Sequence, residues 1–424
     1  MPDNCERAAI LGGTPALADR AAAQAACRWP IITDEDIAAV TDVLRSGDLS
    51  LHRVTRQLED DYRAWLGVRH ALACCNGTSA IFAALHAFGL QPGDEVIVPT
   101  ATYWASVMPV LWCGAVPIFC ESEPEQLGLD PDDVAQPITG RTRAMVVVHL
   151  CGMPSRMEEL LSIARRHNLK VLEDASHAHG ARYRGRMVGT FGDAAVFSLQ
   201  TNKLAPAGEG GVLVTNDDAI HEHAQCLGHF ERLPDLKTPA RRFAGTGFGQ
   251  KHRMAPLSAA VARVQFRHLA ERSGRRSANI EMLSRRLEPL GFQTFLPPAG
   301  IERVYFMYLI RNQPERTGLP TKTMVAALQA EGCDVAKLRY PLLHQQPVFT
   351  EGVFAQLARL QDLPRETLPT YRADALPRTT AAVRDLIQMP VFSAECPQVL
   401  EAYARAFEKV IACAADIAKE TPRA

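Results

Sequence analysis

The apolar positions of this chain follow two kinds of pattern. Over residues 39–66 they recur at helical spacing, first Val40, Val43 and Leu44, then Leu58, Tyr62 and Trp65, which predicts helix there. From about residue 70 to 215 they gather instead into short continuous runs separated by mixed stretches of helix length. The runs are His70–Cys74, Glu95–Pro99, Val116–Phe119, Ala144–His149, Lys170–Glu173, Ala194–Leu199 and Gly211–Thr215. A strand with one wet face alternates apolar and polar residues, whereas these mostly β-branched runs do not alternate and suit strands covered on both faces. They predict an α/β domain around a mainly parallel sheet. Leu257, Val261 and Val264 then mark a helix face, and a basic, strand-free stretch follows as the expected link between domains. Val304–Ile310, the helical pattern 321–331 and a last helix carrying Leu400, Tyr403, Phe407, Val410 and Ile411 predict a smaller α+β domain, with proline-rich loops at 297–298 and 364–377. The expected organisation is an N-terminal arm over 1–35, a large α/β domain over 36–270 and a small α+β C-terminal domain over 271–424.

Composition narrows the range of functions. The 424 residues are 47% hydrophobic and 22% charged, as in ordinary globular chains of two or three domains. Lys and Arg total 46 against 47 Asp and Glu, so no basic surplus exists to hold a nucleic acid. The longest apolar run, Val107 to Cys120, is broken by two prolines and a glycine and is too short to cross a bilayer. Met1-Pro2-Asp3-Asn4-Cys5-Glu6 has no basic start of a secretory leader, and eleven cysteines without CxxC spacing make no disulfide framework. A cytoplasmic protein with free thiols is expected.

Three loops at the ends of predicted strands carry the candidate chemistry. Cys75-Asn76-Gly77-Thr78-Ser79-Ala80 opens a helix; a Gly-Thr-Ser turn there offers free N–H groups, hydroxyls and a positive dipole end, which suit a phosphate. The same turn also reads as a simple N-cap. Next, Asp174 closes a buried run and is followed by Ser176, His177 and His179; open α/β sheets collect ligands at this edge. Asp174 suits a protonated ring nitrogen with His177 as its brace, or else a helix cap beside a structural histidine. His177 and His179 lack a third ligand at metal-site spacing, so no metal is expected. Last, Phe197-Ser198-Leu199-Gln200-Thr201-Asn202-Lys203 precedes Gly208-Glu209-Gly210-Gly211. A lysine desolvated there has a lowered pKa and serves as a Schiff-base nucleophile, while an exposed one is only solvated surface. Phosphate cradle, ring-nitrogen carboxylate and lysine are together what pyridoxal phosphate (PLP) requires, with Thr102-Tyr103-Trp104 as an aromatic platform. No GxxxxGK[ST] or GxSxG sequence occurs, and Gly245–Gly249 follows Arg241-Arg242 rather than a buried strand.

Further segments join these in a fixed order: Ile10-Leu11-Gly12-Gly13-Thr14-Pro15, Val98-Pro99, Arg253-Met254 and Tyr340-Pro341-Leu342-Leu343-His344. Over almost its whole length the chain resembles the DegT/StrS family of PLP-dependent sugar aminotransferases, which has the aspartate aminotransferase-like fold (PLP-dependent transferase fold type I). The resemblance implies that Lys203 is the Schiff-base lysine and proton-shuttling base and that Asp174 pairs with the pyridine nitrogen. It places Tyr103 on one ring face and His177 against the other, with Gly77, Thr78, Ser79 and Ser198 around the phosphate. The family commonly has Asn-Tyr-Arg-Met in a loop that reaches the neighbouring subunit's phosphate. Here Lys251-His252-Arg253-Met254 stands in its place, so Lys251 is the expected cross-subunit contact in a homodimer. His344 is a candidate substrate-pocket residue or, equally, a structural one at a domain seam. The implied reaction moves an amino group from glutamate or glutamine to a keto-sugar nucleotide or keto-cyclitol, in amino-sugar, surface-polysaccharide or antibiotic biosynthesis. Alternatives are a PLP-dependent dehydratase, epimerase or eliminating enzyme, or a non-catalytic regulatory member. Sugar-dehydrating members carry histidine for the lysine, so the retained Lys203 counts against that branch.

Overall fold

The structure, a computed structural model, describes residues 6–338 and 340–420. The leader reading made on Met1–Glu6 therefore falls, for residues 1–5, outside the described residues. The first helical stretch is two helices rather than one: α1 (Asp34–Ser46) and α2 (Val54–Leu66). Gly47 breaks the pattern, taking φ 71° at the end of α1, a conformation that costs any other residue strain. α1 also starts earlier than its apolar spacing suggests, because Asp36 accepts hydrogen bonds from the Thr33 N–H (2.9 Å) and hydroxyl (2.8 Å).

The seven apolar runs form one sheet: β1 (His70–Cys74), β2 (Glu95–Pro99), β3 (Val116–Cys120), β4 (Thr142–Val148), β5 (Lys170–Asp174), β6 (Ala194–Ser198) and β7 (Gly211–Thr215). Their order across the sheet is β1-β7-β6-β5-β4-β2-β3. β7 is antiparallel to both its neighbours, and the other pairings are parallel. The runs do not alternate because both faces are buried. Val96, Val98, Val146, Leu172, Val196 and Leu213 face one core. Their sequence neighbours face two others: Ala195, Phe197 and Val212 in one, Ile97, Met145 and Val147 in the second. β1 leads through a short turn into α3 (Gly77–Ala87), so the first candidate loop sits at the sheet's edge beside the ends of β6 and β7.

α4 (Pro256–Arg267) is followed directly by α5 (Leu269–Leu287), the expected link. Of the residues marking the α4 face, Val264 is buried, while Leu257 and Val261 are half-buried. Beyond α5 lies a second, antiparallel sheet of β8 (Phe292–Gln293), β9 (Tyr308–Asn312), β10 (Ala336–Lys337) and β11 (Leu386–Met389), in the order β8-β9-β11-β10. The strand expected over Val304–Ile310 begins only at Tyr308. Before it, the chain is drawn aside by a bond from the Val304 N–H to the Gly152 carbonyl (3.2 Å), which carries Phe306 away from the sheet. α5 and α6 (Pro397–Ala412) cover this sheet with Ile280, Leu283 and Phe407.

Two segments cross between the halves. Leu11, Leu17, Ala23 and Ala26 of the N-terminal stretch bury themselves in the C-terminal core, where the Glu331 carboxylate accepts from the N–H groups of Ala9 (2.6 Å) and Ala16 (2.8 Å) and from Lys409 Nζ (3.1 Å). Leu343, Phe349, Phe354 and Leu360 instead join the core of the large sheet. Nine of the described cysteines, those from Cys27 to Cys396, are free thiols, and among the described residues no helix is long and apolar enough to cross a membrane.

Candidate active site

The three loops meet around one cavity of about 480 Å³ at the carboxyl ends of β5 and β6. That volume lies in the usual range for a small-molecule site. Gly77, Thr78, Tyr103, Asp174, His177, Ser198 and Lys203 all line it, whereas Ser79, Lys251 and His344 do not.

On the phosphate side, Asn76 is the N-cap of α3, its side chain accepting from the Ser79 N–H at 2.7 Å. The capping reading of this turn is therefore correct, and it accounts for the Ser79 N–H. The N–H groups of Gly77 and Thr78 come too early in the helix for an intrahelical acceptor. Ser198 closes against them: a Cβ on Gly77 would meet Ser198 Cβ at 2.9 Å, so only glycine lets the two loops approach this closely. Two early helix N–H groups, the positive end of α3 and two hydroxyls form a donor set without an acidic group, which fits a phosphate.

At the other end lies Asp174, buried and fixed at both oxygens. Oδ1 accepts from the Ser176 N–H (3.1 Å) and Oδ2 from the Ser106 hydroxyl (2.7 Å). The preceding residue, Glu173, holds this strand end in place. It is fully buried and accepts from the N–H groups of Gly189 (2.7 Å), Phe191 (2.6 Å) and Gly192 (2.7 Å) and from His149 Nε2 (3.1 Å). His149 Nδ1 is itself an acceptor, for the Ser155 N–H (3.1 Å). Glu173→Ala would leave several buried donors without a partner and should lower unfolding free energy by about 3–5 kcal/mol; a urea titration of the variant against the parent measures this.

Lys203 stands on the turn between β6 and β7, its Nζ 4.1 Å from the centre of the Phe306 ring. Burial pulls its pKa down from 10.5 to about 8, against an opposing pull from Asp174. Its backbone is tied from far away: the Trp29 indole N–H donates to the Lys203 carbonyl at 3.1 Å, and the Arg276 guanidinium lies 3.7 Å from the Trp29 ring centre. His177 is buried and its pKa is held well below 6.5 by desolvation and by the Lys203 charge; Nδ1 accepts from the Cys151 N–H (3.3 Å) and the ring stacks on Phe306 at 4.1 Å. Tyr103 and Trp104 are partly exposed at the cavity wall, with Tyr340 6.2 Å from Tyr103.

His344 is buried instead in a seam, its Nδ1 2.7 Å from the Thr100 hydroxyl and its Nε2 3.2 Å from the Ala373 carbonyl. Of its two sequence readings, the structural one matches this placement. Lys251 is exposed outside its own chain's cavity, on a segment tied to the first loop through a bond from the Cys75 N–H to the His252 carbonyl (2.6 Å). His179 turns away to the Tyr62 hydroxyl (3.1 Å), and among the described residues no cluster of His, Cys, Asp and Glu is placed to hold a metal. Sequence reasoning missed Ser106, Phe306, Tyr340 and Trp29 as parts of the site. A hydroxyl four residues after Thr102 on a turn beyond a strand was the available signal for Ser106.

A profile described as the DegT/DnrJ/EryC1/StrS aminotransferase family matches residues 30–394. The chain belongs to that family. Among its relatives, it is 35% identical to a Streptoalloteichus tenebrarius protein named "Putative L-glutamine:3-amino-2,3-dideoxy-scyllo-inosose aminotransferase", over 81% of this chain and 82% of the relative. It is 38% identical to a GDP-perosamine synthase of Caulobacter vibrioides, over 62% of this chain and 70% of that one. Its fold superposes on the crystal structure of S. venezuelae DesV in complex with a ketimine intermediate with a TM-score of 0.74, at 30% identity, covering 96% of this chain and 98% of DesV. The family's aminotransferases depend on PLP, and the seven-stranded sheet is that of PLP-dependent transferase fold type I.

Proposed function

We propose that this family member is a homodimeric, PLP-dependent aminotransferase that takes the amino group of glutamine or glutamate and places it on the ketone of a keto-cyclitol or keto-sugar nucleotide. The observation that carries the reading is the convergence of a desolvated lysine, a doubly anchored carboxylate and the N–H and hydroxyl donors at the start of α3 on a single cavity.

Bound there, PLP supplies an electron sink for bonds at the carbon bearing the amino group. The protein's own residues do the rest. With a pKa of about 8, Lys203 carries a neutral amine in a useful fraction near neutral pH, so its Nζ would be the group that holds PLP covalently and the base that takes up and returns a proton. Asp174 keeps the ring nitrogen protonated, and its two hydrogen bonds stop it from turning away. Gly77, Thr78 and Ser198 fix the phosphate, while Tyr103 and His177 bound the ring. His177 stays neutral and so adds no competing charge beside Lys203.

The exposed surface supports the proposed assembly. Trp112, Phe230 and Phe248 are exposed on the side where Lys251 lies, an apolar set that suits a second copy of the chain. In such a dimer Lys251 meets the partner's cofactor phosphate. Lys251→Ala should then weaken PLP binding by roughly ten- to a hundredfold, the loss of one charge-assisted hydrogen bond, without dissociating the dimer; PLP titration of the apoprotein alongside light scattering reads both.

The test of the function is direct. PLP-loaded protein is mixed with L-glutamine or L-glutamate, and the cofactor's visible absorbance is expected to fall, then return on addition of a keto-cyclitol or keto-sugar nucleotide. No change with either donor would refute an aminotransferase.

A further inference from the structure

Asp174 is not held by its own loop alone. Ser106, buried at 1% exposure, donates to Asp174 Oδ2 at 2.7 Å, and its oxygen lies 3.0 Å from the hydroxyl of Thr102, itself buried at 2%. An ionised carboxylate only accepts, so the proton on Ser106 is committed to Asp174. The Thr102 proton is then directed at Ser106, and the bonds run one way: Thr102 to Ser106 to Asp174. Such a chain polarises along its length and strengthens the bond to the carboxylate.

The two hydroxyls flank Tyr103 and Trp104, and the turn is closed by a bond from the Ser106 N–H to the Tyr103 carbonyl (3.1 Å). The carboxylate aimed at the ring nitrogen and the aromatic side chains at the cavity wall are thereby parts of one hydrogen-bonded unit, although β2 and β5 carry them on separate loops. The other charged or titratable side chains lining the same cavity as Asp174 are Lys203 and Glu209 from the β6–β7 turn, His177 from its own loop, Tyr103 from the turn after β2 and Tyr340 from the C-terminal half.

We propose that Ser106, backed by Thr102, is a positioning residue that fixes Asp174 and the Tyr103 platform in one register around the cofactor ring. The inference rests on the aminotransferase reading above. Removing the Ser106 hydroxyl leaves Asp174 with one anchor and frees it to rotate, so it should affect cofactor affinity and turnover but not the binding of the amino donor.

The experiment compares the parent, Ser106→Ala, Ser106→Thr and Thr102→Val as full-length proteins. Titration of each apoprotein with PLP gives affinity, and steady-state kinetics with L-glutamine separates kcat from KM. Ser106→Ala should bind PLP about tenfold more weakly and lose about tenfold in kcat with donor KM unchanged, the size expected for one hydrogen bond to a charged group. Thr102→Val should show a smaller change of the same kind, and Ser106→Thr should recover parental values because it keeps the hydroxyl. Parental PLP affinity and kcat in Ser106→Ala would overturn the proposal, as would a loss that Ser106→Thr fails to repair, since that marks a packing role. A parent protein that binds no PLP would instead remove the functional reading itself, which keeps the two failures apart.

Discussion

Lys203→Ala is expected to fold as the parent does, to bind PLP only non-covalently, and to lose turnover by at least a hundred- to ten-thousandfold, the contribution of a positioned general base alone. The side chain sits at the cavity wall and no ion pair of the fold depends on it, so its removal touches the chemistry more than the core. The visible absorbance of the covalently held cofactor should vanish, and full turnover without added amine would refute the assignment. The same residue sets a pH profile. Only the neutral amine attacks an aldehyde, and lowering the pKa from 10.5 to about 8 raises the neutral fraction at pH 7 from well under one in a thousand to about one in ten. Covalent capture of PLP by the apoprotein should therefore accelerate by about tenfold per unit as pH rises toward 8 and level off above it. Stopped-flow absorbance would show this, and a rate still climbing steeply at pH 9.5 would mean that Lys203 is not desolvated.

Asp174→Asn is the second large effect. The amide is nearly the same shape: its oxygen can still accept from the Ser176 N–H, while its NH2 group faces Ser106, whose hydroxyl then accepts instead of donating, so the loop should keep its form. What disappears is the negative charge that holds a proton on the pyridine nitrogen. The loss of a charge-assisted bond, about 1.5–3 kcal/mol, should slow both half-reactions by roughly ten- to a hundred-and-fifty-fold while PLP remains bound through Lys203 and the phosphate loop. Single-turnover absorbance with donor alone and with ketone alone measures each half. A variant within a few-fold of the parent in both would show that Asp174 does not control the ring.

The contrast between what could be read from the chain and what could not has a physical basis. β1 to β7 were legible because burial on both faces forces short, continuous, mostly β-branched apolar runs, separated here by stretches of helix length. Asp174, Ser198 and Lys203 were legible because they lie at or shortly beyond the ends of such runs, at the edge where sheets of this kind bind ligands. Phe306 and Tyr340 were not: they reach the cavity from the far half of the chain, and no local pattern records which residues tertiary packing will bring to Lys203. Ser106 stayed hidden because a hydroxyl on an irregular turn has no periodicity. His344 was open to two readings, pocket or seam, and its bonds to Thr100 and Ala373 match the seam. The break after α1 was missed because apolar spacing continues on either side of Gly47, and only its backbone angle reveals the end.

The tie between Trp29 and Lys203 changes what the first thirty residues mean. The indole that holds the lysine's carbonyl is itself pressed against Arg276, whose Nε donates to Ser393 (3.0 Å), while the N–H groups of Ser393 (2.8 Å) and Ala394 (3.0 Å) bond the Ala26 carbonyl. The N-terminal stretch thus packs into the C-terminal half and ends against the backbone of the residue that carries the reactive amine. Shortening the chain to residue 30 amounts to an active-site mutation made from the opposite end of the sequence. Any fusion or trimming that disturbs residues 26–29 will be felt at Lys203, even though neither β5 nor β6 is altered.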